Sequence, residues 1–171
     1  SLLPAELAER NSRLEDIVHE AEGSPFFLEQ LARYTLTCEE TTKGIKLLEM
    51  IDGRLRQQPA GARSFLETLS VAGRPMSPDI IHQASGLEGD EDFLISSLRA
   101  AKLLRSVGEN DGVEPYHDRI REALASSLKA DSVRQIHRRL VQTLLLKGLD
   151  DPESLFEHYL GAGEQEQSSR Y

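Results

Sequence analysis

Few residues of this chain have a type and spacing that does chemistry. His19-Glu20 opens the H-E-x-x-H pattern in which two histidines one helical turn apart hold zinc, but Gly23 stands where the second ligand belongs. Cys38 is the single cysteine, without a second thiol for metal or disulfide, and it reads as a small packing residue. No G-x-x-x-x-G-K-[ST] loop is present to cradle a triphosphate, and neither G-x-S-x-G nor G-x-G-x-x-G occurs. Two short stretches are left. Gly23, Ser24 and Pro25 form a turn in which glycine closes one helix, serine caps the next and proline suits its first turn. His117 and Asp118 stand where a strand gives way to a helix, and an imidazole there can donate to an anionic oxygen. Both have a plain structural reading as well, the first as helix punctuation and the second as a hydrogen-bonded junction.

The remaining histidines His82, His137 and His158 fall on predicted helices and earn no role, and Arg134, His137, Arg138 and Arg139 read as the solvated face of one of them. The whole chain has 171 residues, 39% of them apolar, enough to bury one good core or two small ones. Its formal charge of -9 opposes nucleic-acid backbones and anionic lipid heads, and no basic patch reverses the sign. A lone cysteine suits a reducing cytoplasm, and no apolar run approaches the roughly 18 residues of a membrane helix. The first residues, Ser1-Leu2-Leu3-Pro4, lack the basic and apolar regions of a signal peptide, and without an initial Met the chain reads as a piece of something larger.

The elements that must position these residues follow one period. Leu14, Ile17, Val18 and Ala21, then Phe27, Leu28, Leu31 and Ala32, then Ile45, Leu48, Ile51 and Leu55 recur at helical spacing, so three short helices are expected in residues 1–58. Over 59–130 the spacing predicts a helix on Phe65, Leu66, Leu69 and Ala72, a short one at Ile80 and Ile81, a turn at 85–89, and a helix on Phe93, Leu94, Leu98 and Ala101. Strands 103–107 and 113–116 then flank Gly108-Glu109-Asn110-Asp111-Gly112, and Pro115 confines its strand to an edge or to pairing on its other side. Helix-turn-helix followed by a hairpin reads as a winged helix. Asp118 is expected to cap a helix carrying Ile120, Leu124 and Leu128. Over 131–171 follow a long helix with Val133, Ile136, Leu140, Leu144 and Leu145 on one face and a shorter one from Pro152 to Leu160.

The stretch Ala21-Glu22-Gly23-Ser24-Pro25-Phe26-Phe27-Leu28-Glu29-Gln30-Leu31 resembles the G-x-P-F-F-L-x-x-L segment in the lid of STAND NTPases, the signalling branch of the AAA+ ATPases. Tyr116-His117-Asp118-Arg119-Ile120-Arg121-Glu122-Ala123-Leu124 resembles the second landmark of that family, the F-x-H-x-x-I-R-E-A-L pattern of its winged helix. The two occur in the family's order, with a helix-turn-helix and a wing between them, and residues 157–164 resemble the opening of the helical repeats that often follow. Members include large ATP-binding LuxR-type regulators and ATPase regions attached to bacterial Ser/Thr kinases and adenylate cyclases. The resemblance implies a mainly α fold: a helical lid bundle, a winged helix with a small β-hairpin wing, and C-terminal repeat-like helices. It implies ATP or ADP in the intact parent, bound at a site where Pro25 packs beside the adenine, Gly23 and Ser24 complete the turn that positions it, His117 reaches the diphosphate and Asp118 orients the helix start. Walker A and Walker B segments are missing, so the expectation is a non-enzymatic regulatory piece that contributes to nucleotide-dependent switching and autoinhibition. Its partners would be the ATPase core and output domains of the same parent, and proteins held by the repeats.

Two other readings compete. A DNA-binding winged helix would present the first turn of its second helix to the major groove, but here that turn carries Glu88, Asp90, Glu91 and Asp92, so DNA is not expected as a partner. A helical interaction scaffold would use the last 40 or so residues. A single helical pair cannot bury its own face, which makes a homodimer through exposed helices an expected consequence.

Overall fold

The computed structural model describes Glu29 and residues 47–108, 111–149 and 151–168. The first two predicted helices, the turn at Gly23, Ser24 and Pro25, and Cys38 lie outside the described residues. The chain divides into two compact units, Ser1–Arg54 and Leu55–Tyr171. Among the described residues it is mainly helical, with one small antiparallel hairpin.

Helix α1 (Leu47–Leu55) buries Met50, Ile51 and Leu55. In the second unit, α2 (Ala62–Ala72) begins at Gly61, whose φ of 90° is left-handed and where a Cβ would stand 2.6 Å from Leu87 Cδ2. Glycine is favoured there by its conformation, since L side chains rarely adopt that φ. Helix α2 buries seven of its residues, Phe65, Leu66 and Leu69 the largest. A short connection then leads to α3 (Pro78–Ala84), which starts at proline because the first helical N–H has no intrahelical partner to lose. The turn after α3 uses Gly86 and Gly89 at φ 67° and 118°, and Asp90 caps α4 (Glu91–Ala100) by accepting from the Phe93 N–H at 2.9 Å. Leu94, Ile95 and Leu98 are the buried residues of α4, whereas Phe93, expected on that face, is 62% exposed. The apolar stripe is turned by about one residue relative to the expectation, with Ile95 in place of Phe93.

Strands β1 (Leu104–Val107) and β2 (Gly112–Pro115) pair antiparallel, Leu104 opposite Pro115 and Ser106 opposite Val113. Gly108 and Asp111 have φ of 76° and 52°, the positive values their residue types tolerate. On its other side β2 meets Met76, which exchanges two backbone bonds with Val113, at 3.1 and 2.8 Å. Alternate residues of a strand aim their N–H to the same side, so after Val113 the next donor toward that neighbour would be residue 115. Pro115 has none, and the contact stays a single bridge.

Helix α5 (Asp118–Ser127) buries Ile120 and Leu124, and α6 (Ala130–Leu146) buries Ile136, Leu140, Val141 and Leu144. Leu145, expected on that face, is 42% exposed. Helix α7 (Pro152–Ala162) is capped by Asp151, which accepts from the Ser154 N–H at 3.1 Å, and α8 (Gln165–Ser168) follows after left-handed Gly163. Helix α2 is the hub, packing on α5, α6, α3 and β2, while α6 also packs on α3 and α7.

Phe65 is fully buried and Phe93 is not, so the two aromatics separate packing from mere hydrophobicity. Phe65→Ala is expected to cost about 3–5 kcal/mol through lost burial and the cavity left behind. Phe93→Ala should stay within about 0.5 kcal/mol. Urea unfolding of both variants checks the pair, and equal losses would place the core wrongly.

Candidate functional site

Of the five residues that sequence reasoning selected, His117 and Asp118 are described. Strand β2 delivers the chain to them: Tyr116 donates its N–H to Leu103 O at 3.0 Å, and one residue later the backbone is still extended at His117, φ -148° and ψ 147°. That conformation makes His117 the cap of α5, with its Nδ1 accepting from the Arg119 N–H at 3.3 Å. Asp118, expected to be the cap, is the first helical residue instead. It is exposed and pairs with Arg121 at 3.2 Å, while its charge complements the helix N-terminus. Because Nδ1 accepts, a neutral His117 carries its proton on Nε2.

A second constellation escaped the sequence reading. His137 on α6 and His158 on α7 meet Nδ1 to Nδ1 at 3.3 Å, with ring centroids 5.3 Å apart. His158 is 1% exposed and its Nε2 has no hydrogen-bond partner. These facts assign the proton. If His137 donated, His158 would bury an N–H at Nε2 with nothing to accept it. If His158 donates, only a lone pair is left unsatisfied there, the smaller cost. Gly161 lies against the His137 ring so closely that a Cβ would overlap it, so the glycine makes room for the pair. The signal in the sequence was that both histidines sit within apolar stripes, His137 beside Ile136 and Leu140, and His158 between Leu155 and Ala162.

Burial holds both imidazoles below their ordinary range. For His158 burial dominates, followed by His137 and Arg74, and its pKa falls from 6.5 to about 4. For His137 burial likewise lowers the value, against the attraction of Glu157. The pair opens on a cleft of about 420 Å³ lined also by Val71, Ala72, Gly73, Arg74, Glu153 and Glu157. Arg74 reaches Asp151 at 3.6 Å. Among the described residues no group of three or more His, Cys, Asp or Glu side chains is placed to hold a metal ion, and no helix is long and apolar enough to cross a membrane. Compared with known protein families, with curated proteins and with solved structures, the chain has no match in any of the three.

A folded-state value below the unfolded one means that the unfolded chain binds the extra proton between pH 6.5 and about 4. The contribution of His158 is therefore complete above pH 6.5 and is lost as the pH falls toward 4. The loss is expected to reach about 3 kcal/mol at the acid end. Urea unfolding at pH 7 and at about pH 4 measures it, and His158→Phe should flatten most of the difference; an unchanged pH dependence in that variant would remove the pair as its source.

Proposed function

We propose that this chain is a non-enzymatic regulatory part of a STAND-type signalling ATPase, contributing lid and winged-helix contacts to a nucleotide-dependent switch. The observation that carries the reading is the order and pairing of α2, Met76, α3, α4, β1 and β2. A helix, a one-residue strand, two further helices and a hairpin that pairs back onto that strand support a winged-helix reading. His117 lies directly beyond the hairpin's second strand, at the start of α5, which supports the reading. Its capping bond, by fixing Nε2 as the donor nitrogen, gives the ring the hydrogen that a diphosphate oxygen needs. Pro25, with Gly23 and Ser24, would supply the adenine side in the intact parent, whose core would hold the ATP or ADP phosphates and the magnesium.

The electrostatics of α4 favour this role over DNA binding. Glu88 and Asp90 just before its first turn and Asp92 within it are exposed, and burial together with Asp79 and Asp92 raises the pKa of Glu91. A turn crowded with carboxylates repels phosphate backbones. The C-terminal helices are proposed as the opening of a helical repeat that holds protein partners, because Leu146, Phe156 and Leu160 are 77%, 43% and 51% exposed.

In the intact parent, His117→Ala should speed ADP release about tenfold, the worth of one charge-assisted hydrogen bond. His117→Asp separates this from capping: aspartate is a good cap, so melting should hold while ADP retention falls through charge repulsion. An ADP off-rate unchanged in both variants would take His117 out of the mechanism. If the C-terminal face binds protein, light scattering of the chain alone should show self-association at high concentration that Leu146→Glu with Phe156→Glu abolishes; a strict monomer speaks against that face.

A further inference from the structure

Helix α7 is held to its neighbours by a seam that is half polar. Of the four residues it buries, Leu155 and Ala162 are apolar while Ser154 and His158 are not, whereas α2 buries Phe65, Leu66 and Leu69 among its seven. The Ser154 Oγ and the His158 Nε2 are buried without a hydrogen-bond partner, and water would satisfy both if the seam parted. Helix α7 packs chiefly on α6, and α8 on α7, so the two make a piece that can leave together. The polar ties of this piece share a weakness toward acid. His137 and His158 face each other Nδ1 to Nδ1 at 3.3 Å, a contact with room for one proton; a second would set N–H against N–H and place like charges inside the seam. Arg74 holds Asp151 at 3.6 Å and Arg138 holds Glu164 at 3.0 Å, and each pair loses its attraction when the carboxylate is protonated.

Charges around the imidazoles pull in both directions. Arg74, just beyond α2, disfavours a proton on His158, while Glu157 on α7 favours one on His137, with Glu153 lining the same cleft. The other elements packed on α6 and α7 bring Arg63 and Glu67 from α2, which pair with each other, Asp79 and His82 from α3, and Glu166 from α8; none of these shifts either imidazole. On α6 itself, Arg134 and Arg138 are engaged by Asp131 and Glu164. Burial is the deciding influence, and it ends when the seam opens: in water both rings return to their ordinary range and take up a proton more readily.

We propose that α7 and α8 form an acid-released latch, in which protonation of the pair His137 and His158 parts α7 from α6 while the body built on α2 stays folded. Released, α7 adds Leu155 and Ala162 to the Phe156 and Leu160 that it already exposes, so the uptake of a proton uncovers an apolar helix.

The test is amide hydrogen exchange of the whole chain at pH 7 and pH 5, expressed as protection factors so that the pH dependence of exchange chemistry itself drops out. Amides of α7 are expected to be less protected than those of α2 at both values. Their protection should fall about twentyfold on acidification, the change for one proton taken up by a group whose closed and open values are about 4 and 6.5. His158→Phe should hold α7 protection nearly level between the two. His158→Asn keeps the test open if the phenyl ring does not fit, because its amide donates from the place of Nδ1 and does not titrate. Protection in α7 equal to that in α2 would mean that α7 opens only when the whole unit unfolds, and would overturn the latch. So would an α7 protection that ignores pH in the parent chain, or a full acid fall that persists in the variants. None of these outcomes depends on His117 or on ADP, so the latch and the switch proposal fail separately.

Discussion

Everything in the second unit is hung on one helix that water barely reaches. Helix α2 is buried along most of its surface and is contacted by α5, α6, α3 and β2. Such a helix cannot satisfy stray polar groups through solvent, which explains the behaviour of its hydroxyls. Ser70 turns its Oγ back to Leu66 O at 2.6 Å, and Ser64 reaches Ser85 O at 3.3 Å. The hub also fixes distances. The hairpin and α5 lean on it, α6 leans on it, and the candidate cleft opens at its C-terminal end. Loss of packing at Phe65 would therefore loosen the hairpin junction and the histidine pair together, although they share no side chain.

Close to that hub, one missing hydrogen determines where the chain turns. Pro115 cannot extend the pairing of β2 toward Met76, so the ladder stops there, while Tyr116 still donates to Leu103 on the opposite side. Paired on one side and released on the other, the chain is carried one residue further, to His117, in extended form before it coils into α5. Cap geometry, ring tautomer and the placement of the imidazole all follow from that release.

Most of the architecture described here was legible as periodicity and punctuation. The helices around Leu66, Ile81, Leu98, Ile120, Leu140 and Leu155 stand where apolar spacing put them, and the hairpin turns where glycine and aspartate permit positive φ. The errors have a common cause. Phe93 and Leu145 were placed on buried faces because they are apolar, yet burial is decided by which neighbouring helix lies opposite, something a single helix's pattern does not contain. His117 was placed correctly as a junction residue, whereas the capping duty was given to Asp118 because residue preference outranks geometry in a sequence and not in a folded chain. The histidine pair was invisible for the opposite reason: His137 read as part of a solvated face with Arg134, Arg138 and Arg139, His158 as a helical residue without a role, and only the packing of α6 on α7 brings positions 137 and 158 to the same level.

That pairing bears on why a polar contact occupies a helix seam where leucine would pack well. Between two helices whose stripes are only apolar, a slip of one turn exchanges one set of contacts for a similar set. The Nδ1 to Nδ1 contact is made at one level alone, and Gly161 opens room for the His137 ring at that level only. At the same end of α7, Arg138 bonds Ala162 O at 3.3 Å and Glu164 at 3.0 Å, which satisfies one of the orphaned carbonyls of the helix C-terminus. With two polar contacts on the same two helices, a one-turn slip would break both and strand a buried imidazole. The histidines thus lower stability in acid while specifying register, a use of buried polarity in which uniqueness of packing outweighs its strength. That fixed register is also what sets Glu153 and Glu157, one and two turns along α7, opposite the end of α2, so the shape of the cleft depends on the same pair that lines it.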